Sequence, residues 1–134
     1  MFRKLDDTIS VAGQIAPGDI AQAAAQGFAF VINNRPDGEQ PGQPTSAEMA
    51  AAAEAAGLGY AAIPVAGGFS AAQIEAMRQA LEAASGPVLA FCRSGTRSTF
   101  AWALARAAMG DDPETLAAKA AQAGYDISPI RGML

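Results

Sequence analysis

The sequence predicts an α/β fold: three layers, with a mostly parallel central sheet and helices on both faces. Three observations carry this expectation. Short apolar runs suited to buried strands alternate with longer Ala-rich stretches of helical pattern, and Gly or Pro stands at most of the joints. The 134 residues suffice for one core and not two, so the whole chain, 1–134, is read as one domain. Because 34 of the residues are alanine, the hydrophobic fraction of 51% overstates the apolar bulk, and Leu, Ile, Val, Met, Phe and Trp must supply most of the burial.

Taken in order, Thr8 to Val11 opens the sheet, and Pro17 starts a helix that Gly27 stops. Phe28 to Ile32 reads as a buried strand. Asn33 to Pro44 is too polar and too rich in Pro and Gly to be an element, and a long loop after a strand is often functional. Capping boxes at Thr45/Glu48 and Ser70/Gln73 start helices over Ser46–Ala56 and Ala71–Ala84, closed by Gly57 and Gly86. Between them Leu58 to Val65 is a strand ending near Pro64, followed by the flexible Ala66-Gly67-Gly68. Val88 to Phe91 is wholly apolar and therefore central. A helix follows over Thr99–Met109, and Asp112-Pro113 begins the last one, which ends near Gly124.

Composition narrows the function. With a net charge of −4 and nine scattered basic residues, nothing supplies the phosphate attraction that drives nucleic-acid binding. No apolar run reaches membrane-helix length, and Met1 to Asp7 lacks the apolar core of a signal peptide, so a soluble cytoplasmic protein without a membrane partner is expected. One cysteine and no histidine exclude disulfide scaffolds, Cys/His zinc sites and imidazole triads. No metal and no cofactor is called for.

The chemistry is concentrated where the central strand gives way to Cys92-Arg93-Ser94-Gly95-Thr96-Arg97-Ser98. Ligands of open α/β sheets bind at the carboxyl ends of strands, and a helix starting there aims N–H groups and its positive dipole end at them. A loop so wrapped is a nest of donors for an anion, with Ser94, Gly95, Thr96 and Ser98 in its wall and Arg97 adding a two-pronged cation. Cys92, at the rim, is favoured as a thiolate by the same positive surroundings. A lone cysteine often only fills space, but so polar a run cannot continue a core strand.

Cys92-x-x-Gly95-x-Arg97-Ser98 resembles the anion-binding loops of cysteine-dependent phosphatases and rhodanese-type sulfurtransferases. Together with Ile32-Asn33-Asn34-Arg35-Pro36-Asp37-Gly38-Glu39, Ile63-Pro64-Val65 and Gly86-Pro87-Val88, it resembles the beta-lactamase-hydrolase-like phosphatase domain family from about Ser10 to Arg131. That resemblance implies a small dual-specificity-phosphatase fold, Cys92 as nucleophile and Arg97 as its anion partner. Members of the family also occur fused to persulfide-oxidising domains. Further anion-binding candidates are Asn34, Arg93, which is expected to face outward toward an acidic substrate, and Arg35, which is expected to line the rim.

Two departures from the phosphatase pattern point toward sulfur. Phosphatases of this fold place five residues between Cys and Arg, whereas four separate Cys92 from Arg97, the spacing of six-residue sulfurtransferase loops. The segment where such phosphatases carry a general-acid Asp reads Val65-Ala66-Gly67-Gly68-Phe69, leaving Asp37 or Glu39 as the substitutes. A persulfide on Cys92 needs neither the longer cradle nor the acid. The sequence reading therefore ranks a sulfurtransferase first, with a small sulfane-sulfur donor and a thiol acceptor. A phosphatase acting on a phosphate ester through a phosphocysteine is second, and a catalytically silent anion- or protein-binding module third.

Overall fold

The computed structural model describes residues 2–134, so of the N-terminal reading only Met1 lies outside it. Five strands form one sheet: β1 (Arg3–Asp6), β2 (Ile9–Ala12), β3 (Phe30–Asn33), β4 (Gly59–Ala62) and β5 (Val88–Phe91). Their order is β1-β2-β5-β3-β4, with β1 antiparallel to β2 and every other pairing parallel. The helices are α1 (Pro17–Ala25), α2 (Ser46–Ala55), α3 (Ala71–Ala83), α4 (Thr96–Ala108) and α5 (Pro113–Gln122), followed by a 3-10 turn over Ser128–Met133.

Strand alternation explains the layers. In β5, Val88 and Ala90 face one way, packing with Met77 of α3, Trp102 and Ala105 of α4 and Leu116 and Ala120 of α5. Leu89 and Phe91 face the other way, packing with Ile20 and Ala23 of α1 and Met49 and Ala53 of α2. A strand whose successive side chains enter two different cores must be apolar throughout, and β5 is the middle strand that the sequence predicts. The expected α/β architecture is the one observed.

Four boundaries differ. β1 was not expected, because only Leu5 of its residues is buried and an edge strand needs little apolar pattern. Its turn into β2 is closed by the Asp6 carboxylate, which accepts from the Thr8 amide at 2.8 Å. β3 begins at Phe30, two residues later than the apolar run suggests, since Phe28 instead packs its ring edge against Phe2. Only Gly59–Ala62 of the expected Leu58 to Val65 strand pairs in the sheet. Most consequentially, α4 starts at Thr96 and not Thr99: Gly95, at φ +88°, caps it, and the Thr99 amide and hydroxyl both donate to Gly95 O, at 3.0 and 2.8 Å. Thr96, Arg97 and Ser98 are too polar for an apolar pattern to reveal that first turn.

Because β5 lies between β2 and β3, the chain leaves the sheet in different directions around it, and the carboxyl ends of the three strands meet. The Cys92 amide donates to Ala12 O at 3.3 Å and the Asn34 amide to Phe91 O at 2.8 Å. This crevice is where an open parallel sheet binds ligands.

Candidate active site

Residues 92–97 wrap into a loop in which the carbonyls of Arg93, Ser94 and Gly95 are tied outward. Gln14 N–H donates to Arg93 O at 3.1 Å, the Tyr125 hydroxyl to Ser94 O at 3.0 Å, and Thr99 to Gly95 O. A carbonyl and the N–H of the next residue share one planar trans peptide and point oppositely. The amides of Ser94, Gly95 and Thr96 therefore turn to the concave side. That of Gly95 reaches Cys92 Sγ at 3.1 Å.

The early start of α4 adds donors. Its ladder begins with the Thr99 amide, so the amides of Thr96, Arg97 and Ser98 have no partner within the helix, and its positive end faces the loop. Cys92 itself is fully buried, enclosed by the loop rather than standing at its rim as the sequence suggests. Gly13 helps the strand ends approach this closely: a Cβ there would lie 3.0 Å from Arg93 O.

Arg97 is held on two sides. Nη1 donates to Glu39 Oε2 and to Val65 O, both at 2.8 Å, and Nη2 to Glu39 Oε1 at 2.9 Å. A guanidinium has five N–H donors, and these contacts use three. The two that remain, on Nε and Nη2, lie side by side, the fork that takes an oxyanion bidentately. Glu39 raises Arg97 above its ordinary value against the opposing effect of burial, and the neighbouring Cys92 adds in the same direction as Glu39.

Glu39 is anchored from behind by Arg35, whose Nε donates to Oε1 at 2.8 Å. The hydrogen bonds from Arg97 and then Arg35 hold the Glu39 carboxyl at about 2, well below its usual range. Arg35 does not line the rim. It is buried, and its other nitrogens donate to Gln14 Oε1 at 3.0 Å and Gln40 Oε1 at 2.9 Å, so it supports the carboxylate that supports Arg97.

Asn34 is likewise internal: its side-chain amide donates to Ile63 O at 2.9 Å and its backbone joins Phe91 and Val65, stapling β3 to its neighbours. Asp37 stands on the surface and accepts from the Ser46 amide at 2.8 Å, capping α2. It is Glu39 and not Asp37 that meets Arg97. Arg93 is exposed, as expected, and the Ser94 hydroxyl donates to that of Thr96 at 3.2 Å. Ser98 is buried, and its hydroxyl has no partner among the described residues.

Sequence reasoning missed two participants. Glu39 is a partner of Arg97 and not an acid, and its place four residues after Arg35 is the signal in the sequence for an ion pair. Nothing in the sequence links Tyr125, beyond α5, to Ser94.

Residues 1–109 match the family model described as beta-lactamase hydrolase-like protein, phosphatase-like domain. A beta-lactamase hydrolase-like protein of Agrobacterium fabrum is 42% identical over 108 residues, 80% of this chain and 25% of the relative, so the chain spans about a quarter of the length of the curated relatives it matches. Among solved structures, a candidate phosphatase from Neisseria meningitidis is 34% identical, with a TM-score of 0.83 over 97% of this chain and 93% of that one. The kinase associated phosphatase, at 14% identity, shares the fold with a TM-score of 0.72 over 97% of this chain and 87% of its own.

Proposed function

Since the chain belongs to the phosphatase-like domain family of beta-lactamase hydrolase-like proteins, we propose that it is a cysteine-dependent phosphatase whose nucleophile is Cys92. The observation that carries this reading is the donor set around the sulfur. Five amides, Ser94 to Ser98, belong to the inward-facing loop and the first turn of α4, and the free fork of Arg97 joins them. That set is large enough for the several oxygens of a phosphate, although the loop has one residue fewer than the phosphatase pattern. The phosphatase description of the structural neighbour from Neisseria agrees with it.

In the first step the Cys92 thiolate attacks phosphorus, an S–P bond forms and the P–O bond to the leaving group breaks. The loop amides and Arg97 stabilise charge on the non-bridging oxygens. Water then attacks the phosphocysteine, and Cys92 departs as thiolate with release of inorganic phosphate. Among the described residues, neither acid candidate is available to protonate the leaving oxygen: Glu39 is held ionised by two arginines, Asp37 caps α2, and the segment beside Arg97 at Val65 carries no carboxyl group. The substrates favoured are therefore esters whose leaving group departs as a stable anion.

Sulfur transfer is the second reading, favoured by the six-residue loop and by that same lack of an acid. Cys92 would attack the outer sulfur of a donor such as thiosulfate, forming a persulfide as the donor S–S bond breaks and sulfite leaves. A thiol acceptor would then take the sulfur. Parallel assays of aryl phosphate hydrolysis and thiosulfate-dependent sulfur transfer, in wild type and Cys92→Ser, separate the two. Cys92-dependent hydrolysis exceeding transfer supports the phosphatase, and the reverse overturns it.

A further inference from the structure

The peptide between Ser94 and Gly95 is gripped at both ends. Its carbonyl accepts from the Tyr125 hydroxyl at 3.0 Å, and its N–H donates to Cys92 Sγ at 3.1 Å. Gly95 stands at φ +88°, and glycine crosses between positive and negative φ at little cost, so this plane is the one in the loop most able to turn over. Turned over, it would replace an N–H with a carbonyl oxygen beside the sulfur and beside any bound anion. Gln14 and Thr99 hold the flanking carbonyls through backbone or helix contacts, whereas Ser94 O is held by a side chain from the far end of the chain.

Tyr125 is built to reach there. Its amide donates to Ala120 O at 2.9 Å, which fixes the residue against the end of α5, and the Arg3 guanidinium stacks over its ring, 5.6 Å from the centroid. The phenol rests on the bare Cα of Gly95: a Cβ there would lie 2.2 Å from the Tyr125 oxygen. Gly95 is thus required both for its backbone angle and for the room it leaves. Tyr125 also lies outside residues 1–109, the span that the family model matches.

We propose that Tyr125 is a positioning residue that locks the Ser94–Gly95 peptide with its N–H toward Cys92, and so sets the reactivity of the sulfur and the affinity of the loop for anions. The inference rests on Cys92 being the nucleophile, as argued above. It requires no particular substrate, because the state of the sulfur can be read without turnover.

The test is Tyr125→Phe, which keeps the ring and removes the hydroxyl. Iodoacetamide alkylation of Cys92 at neutral pH should slow roughly 3- to 10-fold, the usual worth of one net hydrogen bond, and the difference should close at alkaline pH where every thiol is ionised. Amide exchange at Gly95, followed by NMR, should accelerate while the thermal midpoint is preserved. Wild-type alkylation at every pH together with unchanged Gly95 exchange would reduce Tyr125 to packing and overturn the proposal. If Tyr125→Phe slows alkylation but wild type hydrolyses no phosphate ester, the positioning role stands and the phosphatase reading fails. If hydrolysis is robust and alkylation is indifferent to Tyr125→Phe, the opposite holds.

Discussion

Glu39 occupies the end-on edge of Arg97, Oε2 at 2.8 Å from Nη1 and Oε1 at 2.9 Å from Nη2, and leaves the side-on fork open. The carboxylate therefore orients the guanidinium without competing for the edge that an oxyanion would use. Glu39→Gln keeps one acceptor and loses the charge and the second strong bond, so Arg97 should wander. We expect kcat to fall about tenfold, with a smaller change in KM. An unchanged kcat would show that Arg97 is aimed by something else.

The same pair predicts an acid-stability signature. The folded Glu39 carboxyl lies at about 2, below its ordinary 4.5, so its contribution to stability is fully present above about pH 4.5 and is lost as pH falls toward 2. The difference in thermal midpoint between wild type and Glu39→Gln should therefore shrink across that window. A difference that grows on acidification contradicts the assignment.

Arg97→Lys conserves charge and destroys the fork. A lysine cannot satisfy Glu39 and Val65 O while offering two parallel donors to an anion, so kcat/KM should fall by about 10²-fold or more. A loss of less than about threefold would mean that only the charge matters.

Asp37 should be dispensable for chemistry. Asp37→Ala removes a cap on the Ser46 amide, which costs about 0.5–1 kcal/mol of stability, and should leave kcat within about twofold of wild type. Across a series of aryl phosphates, log kcat/KM, which reports the phosphoryl-transfer step that contains the leaving group, should decline steeply with leaving-group pKa, as expected where no acid donates a proton. A flat dependence, or a collapse in Asp37→Ala, would restore Asp37 as the acid.

What could be read from the sequence follows physical lines. β5 was legible because it enters two cores and must be apolar, and α2 and α3 because their capping boxes are local chemistry. The loop was legible from Cys92, Gly95 and Arg97 in succession. The first turn of α4 was hidden by polar residues whose amides, not side chains, serve the site. β1 was hidden because an edge strand has one buried position. Glu39 and Tyr125 were hidden because their contacts, 58 and 31 residues from their partners, are set by the strand order β2-β5-β3 and the return of α5. Sulfur transfer ranks first in the sequence for two reasons, the four-residue spacing of Cys92 and Arg97 and the carboxylate-free Val65–Phe69 segment, and neither shows how many amides the folded loop presents.

In the proposed reaction Cys92 carries the phosphoryl group between the two steps. Acid-quenching the protein during turnover of p-nitrophenyl phosphate and weighing the peptide that contains Cys92 tests it directly. The expected result is a gain of about 80 Da, one phosphoryl group, that is absent in Cys92→Ser. A peptide that gains nothing from the phosphate ester, yet gains about 32 Da from thiosulfate and passes that sulfur to a thiol, would contradict it and make the chain a sulfurtransferase.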